Sequence, residues 1–225
     1  LLRDPSSSLH RGKRAWAWLV IAVCLFAFLV QLRDGIILNA TRSIRSRRNF
    51  YGVLSVQAGE YEGKQLVQLM HGIITHGVQV LDGELASEPT SYYQRETGIG
   101  YAMKLVSQKP EKRVGLLGMG IGTLAAYSDQ GDYFRAYEIN PDVVDLALDP
   151  DLFKYWPLLE QRGASGEVIL GDARVSLENE LRAGNPQNFD ILVLDVFSGD
   201  SIPVHLLTVE AFDVYRQHLT PHGLL

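Results

Sequence analysis

Cysteine is nearly absent: Cys24 is the only one in 225 residues. That excludes a disulfide framework and a cysteine-based zinc site. The six histidines, His10, His71, His76, His205, His218 and His222, show no HExxH or similar ligand spacing, so a metal enzyme is a poor expectation. With 46% hydrophobic and 21% charged residues, the composition excludes a disordered or fibrous chain and leaves room for a domain with a core.

Positive charge is scarce outside the first 48 residues. That head holds nine Lys/Arg against two Asp/Glu, whereas residues 49–225 hold twelve against twenty-four. A body that acidic repels nucleic-acid phosphates and attracts cations, so no nucleic-acid partner is expected. The same acidity also fits an ordinary soluble surface.

Residues 15–30, AWAWLVIAVCLFAFLV, contain no polar side chain and lie between Arg11, Lys13 and Arg14 on one side and Arg33 on the other. They predict a transmembrane helix over about 15–32, with snorkelling arginines making up a length slightly short of a bilayer core. The rival is a signal peptide, but no small-x-small cleavage site follows. Both flanks are basic, with a lean toward a cytoplasmic body. Starting at Leu1 and stopping at Gly223-Leu224-Leu225, the chain reads as a fragment lacking strands that would complete its sheet. Asn39-Ala40-Thr41 spells a glycosylation acceptor, which at this juxtamembrane position reads as chance.

Over 50–85, short apolar runs (53–56, 65–70, 78–81) separated by Gly59, Gly63, Gly72 and Gly77 predict a small antiparallel meander. A helix is expected from about 91 to 106. From Arg113 the rhythm changes. Apolar runs at 114–117, 133–137, 168–170 and 191–194 alternate with helical segments, which predicts parallel βαβ units.

In such sheets ligands sit at the carboxyl ends of the strands. Those ends carry Gly118-Met119-Gly120-Ile121-Gly122, Glu138, Gly171-Asp172-Ala173 and Asp195. The glycines permit a tight turn beside a ligand, with a helix expected near Thr123 to point its positive end there. Glu138, twenty residues beyond Gly118, stands where a carboxylate can hold two ribose hydroxyls. The nicotinamide fingerprint requires glycine where Thr123 stands, so the pattern is G-x-G-x-G. Each acid has a structural alternative: Glu138 as the cap of the helix near Pro141, Asp172 as the N-cap of the helix after it, Asp195 as a turn cap. His71 and His76, on or near a glycine-rich hairpin, could face the cleft, but unpaired histidines there read first as turn or surface residues.

VGLLGMGIGTLAAY with EINPDVVDLA, VILGDARVSLE and FDILVLDVFSGDSIPVHLLTVEAFDVYRQHLTPHGLL together resemble the class I S-adenosylmethionine-dependent transferase fold, and within it the spermidine synthase (polyamine aminopropyltransferase) family, from about residue 49 to 225. The membrane-spanning head resembles the bacterial branch in which such a domain is fused to membrane helices. The resemblance implies three parts: a basic head with its membrane helix (1–48), a β-hairpin domain (49–88) and an incomplete Rossmann-like, doubly wound parallel domain (89–225). It implies decarboxylated S-adenosylmethionine, or S-adenosylmethionine, as co-substrate without a metal. It also implies a small cationic amine such as putrescine as acceptor, a role in polyamine biosynthesis, a bacterial inner-membrane location with the catalytic body cytoplasmic, and a homodimer as the assembly to look for.

By position, Gly118, Gly120 and Gly122 match the glycine loop beside the nucleoside, Glu138 the ribose carboxylate, and Asp172 with Ala173 the adenine site. Asp195 matches the catalytic aspartate, and Tyr93 and Gln94 match residues that contact or position the amine. Asp195 is expected to accept the amine's proton with help from Tyr93, and Asp200 or Glu96 to hold a distal ammonium. Three departures fall on the substrate side. Ile121 replaces an acid in the glycine loop, residues 195–203 replace a compact D-[ST]-[ST]-D-P, and Met70-His71-Gly72 replaces L-D-G. A methyltransferase on the same fold, and a non-catalytic nucleoside- or polyamine-binding module, are the alternatives.

Overall fold

The computed structural model describes residues 15–196 and 203–225. The chain divides into two units, Leu1–Ser43 and Ile44–Leu225. In the first, helix α1 spans Ala15–Arg42, and its Trp16–Ile37 stretch has mean hydropathy 2.1. Twenty-two helical residues measure about 33 Å, enough for a bilayer core. Length and composition permit a membrane span, and they equally fit a signal sequence.

The second unit begins with an antiparallel sheet in the order β1 (Ser43–Asn49), β2 (Gly52–Tyr61), β3 (Lys64–His71), β4 (Ile74–Val80). The meander was expected from β2 onward. β1, SIRSRRN, has no apolar alternation to signal a strand, and it lies at the sheet edge, where charged side chains discourage further pairing. Alternation along β2 and β3 sends Leu54, Val56, Val67 and Leu69 to one face, and these join the main core of the body.

The expected helix over 91–106 is broken. Ser91–Tyr93 forms a short 3-10 turn with Ser91 at φ +56°, and α2 covers only Gly98–Val106. Thr97 sets that start: its hydroxyl oxygen accepts from the Gly100 N–H as N-cap.

β5 (Arg113–Leu117), β6 (Tyr133–Glu138), α3 (Pro141–Leu148), α4 (Leu158–Gln161), β7 (Ser165–Leu170), α5 (Ala173–Arg182), β8 (Phe189–Leu194), α6 (Val209–Gln217) and β9 (Leu219–Leu224) follow. The parallel sheet has the order β7-β6-β5-β8-β9. Phe134, Ala136, Val114 and Ile191 feed the core on one face, and Leu117, Tyr137, Phe189 and Leu192 that on the other. The chain therefore winds outward from β5 through β6 to β7, then returns to β8 and β9. The reversal opens a crevice between the carboxyl ends of β5 and β8, where this topology places ligands. In place of the α-helix expected near Thr123, a five-residue 3-10 helix, Thr123–Tyr127, leaves the glycine loop.

Candidate functional site

At the crevice, β5 and β8 approach so closely that a Cβ on Gly118 (φ +84°) would collide with the Asp195 carbonyl oxygen, which makes glycine obligatory there. Between the carboxyl ends of the strands and the antiparallel sheet lies a cavity of about 800 Å³. Gly118, Gly120, Glu138, Asp172, Ala173, Asp195 and Tyr93 all line it. Seven residues expected from the sequence to share a site thus line one cavity.

Glu138 is buried at 8% exposure. Its Oε2 accepts the Met119 N–H of the glycine loop at 2.9 Å, and its Oε1 accepts the Asn140 N–H at 2.8 Å. Burial pushes its carboxyl above the usual range, against the pull of backbone N–H groups from Asn140, Met119 and Ile139. The cap of α3 is Asn140, whose Oδ1 accepts the Asp142 N–H, so Glu138 ties the glycine loop to β6 and caps no helix.

Asp172 does cap α5: Oδ1 accepts the Val175 N–H at 2.9 Å. Its Oδ2 pairs with His205 Nε2 at 2.8 Å. The capping alternative holds, and the same carboxylate still borders the cavity.

Asp195 Oδ2 receives two phenols, Tyr93 at 2.6 Å and Tyr92 at 3.0 Å. Burial, followed by the adjacent Asp195 charge, raises both phenols well above their ordinary values. Both therefore remain protonated at neutral pH and donate, which fixes the carboxylate rather than competing with it for protons. Tyr93 is itself anchored by Tyr127, whose hydroxyl donates to the Tyr93 carbonyl.

Three expected residues lie away from the cavity. Gln94 is exposed, because the chain turns outward at the end of the 3-10 turn. Gly122 (φ +76°) faces Trp156, 3.4 Å from where its Cβ would stand, and starts the 3-10 helix. Glu96 borders a separate groove with Arg95 and Tyr127, so it does not reach the cavity. Asp200 lies outside the described residues. Ile121, 1% exposed, packs against Gly77 of β4 and does not line the cavity.

Lining residues outside the expected site include Tyr51, His71, His76, Tyr92 and His205. Tyr92 was legible as half of a Tyr-Tyr pair. The histidines were visible, but nothing in their spacing tied them to the strand ends. Among the described residues no cluster of His, Cys, Asp and Glu is arranged to hold a metal ion.

No protein-family model matches the chain. A polyamine aminopropyltransferase of Vibrio vulnificus is 32% identical over 125 residues, covering 54% of this chain and 38% of the relative. An N-terminal histidine N-methyltransferase of Emericella nidulans is 32% identical over 111 residues, covering 49% of this chain and 18% of the relative. Each match spans well under half the relative's length. A crystal structure of spermidine synthase in complex with the transition-state analogue AdoDATO superposes with TM-score 0.50 at 15% identity, over 80% of this chain and 53% of that one. The body thus has the Rossmann-like fold of class I S-adenosylmethionine-dependent transferases.

Proposed function

We propose that the cavity binds a sulfonium nucleoside of the S-adenosylmethionine type and that the protein moves an aminopropyl group from the decarboxylated form to a small amine such as putrescine. The observation that carries this reading is Asp195, clamped by two phenols at the strand-reversal crevice, in the same cavity as Glu138 and the glycine loop. The residues fit such a nucleoside. Gly118 and Gly120 allow close approach, Glu138 offers carboxylate oxygens to ribose hydroxyls, and Asp172 with Ala173 borders the place for the base. When bound, the nucleoside supplies an electrophilic carbon beside a sulfonium. The chain's own part is to orient and desolvate the amine and to manage its proton, since a free amine has a pKa of about 10. Asp195 attracts the ammonium, and the Tyr92 and Tyr93 phenols hold its carboxylate in place. The similarity to the Vibrio aminopropyltransferase supports this choice of group. In the proposed arrangement α1 tethers the body to a bacterial inner membrane, with the catalytic part cytoplasmic and 1–48, 49–88 and 89–225 as its three parts.

A second reading, methyl transfer, is favoured by Ile121. With that side chain in the core, no acid stands in the glycine loop to repel the carboxylate of intact S-adenosylmethionine. Mass spectrometry of reactions with each nucleoside and putrescine tests both. Methylthioadenosine together with spermidine supports aminopropyl transfer, and S-adenosylhomocysteine with a methylated amine supports the second reading. Binding without either product contradicts both.

A further inference from the structure

His76 stands on β4 over the glycine loop, its carbonyl oxygen 3.0 Å from where a Gly120 Cβ would be. It lines the cavity with Asp195, Tyr92 and Tyr93. Its Nε2 is buried and has no hydrogen-bond partner among the described residues. A buried polar nitrogen left unpaired costs free energy unless something binding there completes it. His71, by contrast, is engaged: its Nε2 lies 2.7 Å from the Tyr51 carbonyl, and the two imidazoles tilt at 50° with centroids 5.3 Å apart.

We propose that His76, and not Asp195, receives the proton that the acceptor amine loses on transfer. This rests on the amine-transfer reading above. Asp195 Oδ2 already accepts two phenol hydrogen bonds, whereas His76 Nε2 is buried with no partner among the described residues. The balance closes. The bound ammonium first gives one N–H proton to Nε2, the lone pair so freed forms the new N–C bond, the C–S bond breaks with its electron pair going to sulfur, and the product leaves as a secondary ammonium. The resulting imidazolium has the Asp195 carboxylate as counter-charge. Burial, with His71 adding to it, holds the His76 imidazole below its ordinary value, against an opposing pull from Asp195. His76 is thus neutral at pH 7 with its lone pair available. The charged or titratable groups that act on it are His71 on β3 and Asp195 after β8, and Glu138, Asp172, His205, Tyr51, Tyr92 and Tyr93 line the same cavity.

The test uses the full chain with decarboxylated S-adenosylmethionine and putrescine across pH 5–9. His76→Gln is expected to lower kcat on the order of 100-fold and to abolish the acidic limb of the pH profile, while methylthioadenosine affinity stays within about two-fold. An unchanged kcat with the acidic limb retained overturns the proposal. Nitrogen-15 imidazole spectra of the wild type separate this from the reading beneath it. Putrescine added with methylthioadenosine is expected to shift His76 Nε2 and to leave His71 Nε2, held by Tyr51, in place. If the wild type turns over no amine, the transfer reading fails. The spectra then decide for His76: an amine-dependent shift retains it as the amine's acceptor, and no shift overturns it.

Discussion

The Tyr93 hydroxyl donates to Asp195 Oδ2 at 2.6 Å across 102 residues of chain, and it joins the 3-10 turn ahead of α2 to the end of β8. Tyr93 is almost wholly buried, so the bond forms in a setting where an unpaired partner is costly. Tyr93→Phe is expected to keep the fold, to cost about 1 kcal/mol of stability, and to lower turnover with little change in nucleoside affinity. Asp195→Asn is expected to remove turnover while leaving methylthioadenosine binding nearly intact. Loss of binding and turnover together would make Asp195 a structural residue. Chemical denaturation paired with calorimetry reads both effects.

Glu138 joins Met119 N–H to Asn140 N–H through its two oxygens. In Glu138→Gln one of those oxygens becomes an NH2 facing a backbone donor. The expected result is a loss of about 1–3 kcal/mol in stability and nucleoside affinity weakened roughly ten-fold, about 1.4 kcal/mol. Calorimetry with methylthioadenosine measures the second, and unchanged affinity would remove Glu138 from the binding site.

Asp172 serves α5 and the cavity at once, and a substitution separates the two tasks. Asp172→Asn keeps a carbonyl oxygen for the Val175 N–H, so stability should change by no more than about 0.5 kcal/mol. Asp172→Ala should cost about 1 kcal/mol through loss of the cap. If Asp172 receives the adenine amino group, both variants weaken nucleoside binding, because the asparagine then turns an NH2 toward another donor. Equal nucleoside affinity in Asp172→Asn and wild type would leave the residue a cap alone.

His218 is fully buried beside Phe189. The Gln187 N–H donates to Nδ1 at 3.1 Å, which places the ring proton on Nε2, 3.0 Å from the Leu177 carbonyl. Protonating Nδ1 would break the first bond. Burial lowers its pKa from 6.5, so the neutral form stabilises the fold above pH about 6.5, and that stability is lost as pH falls through the lowered folded value. His76, lowered in the same direction, adds to the same window. His218→Gln should be less stable than wild type at pH 7.5 by about 1–3 kcal/mol, with a smaller further loss on going to pH 5. Urea midpoints at the two pH values check this, and equal losses in both proteins would contradict it.

Much of the fold was legible because its signals are local. Four apolar runs of strand length, each ending in glycine or a carboxylate, specify a parallel sheet and name its ligand edge. That is why Gly118, Glu138, Asp172 and Asp195 fall on one cavity. What escaped depends on contacts distant in sequence. β1 is polar and becomes a strand only by pairing with β2. The 91–106 helix breaks because Thr97 caps at its own position. Gly122 turns toward Trp156, and Ile121 is drawn into the core by a glycine 44 positions earlier. His205 enters only because it meets Asp172 across 33 residues.

Calorimetry of the wild-type chain with methylthioadenosine, S-adenosylmethionine and its decarboxylated form measures whether the cavity binds a sulfonium nucleoside. All three are expected to displace one another from a single site, with the decarboxylated nucleoside bound most tightly and Glu138→Gln weakening each. No binding of any of the three at millimolar concentration would contradict that expectation.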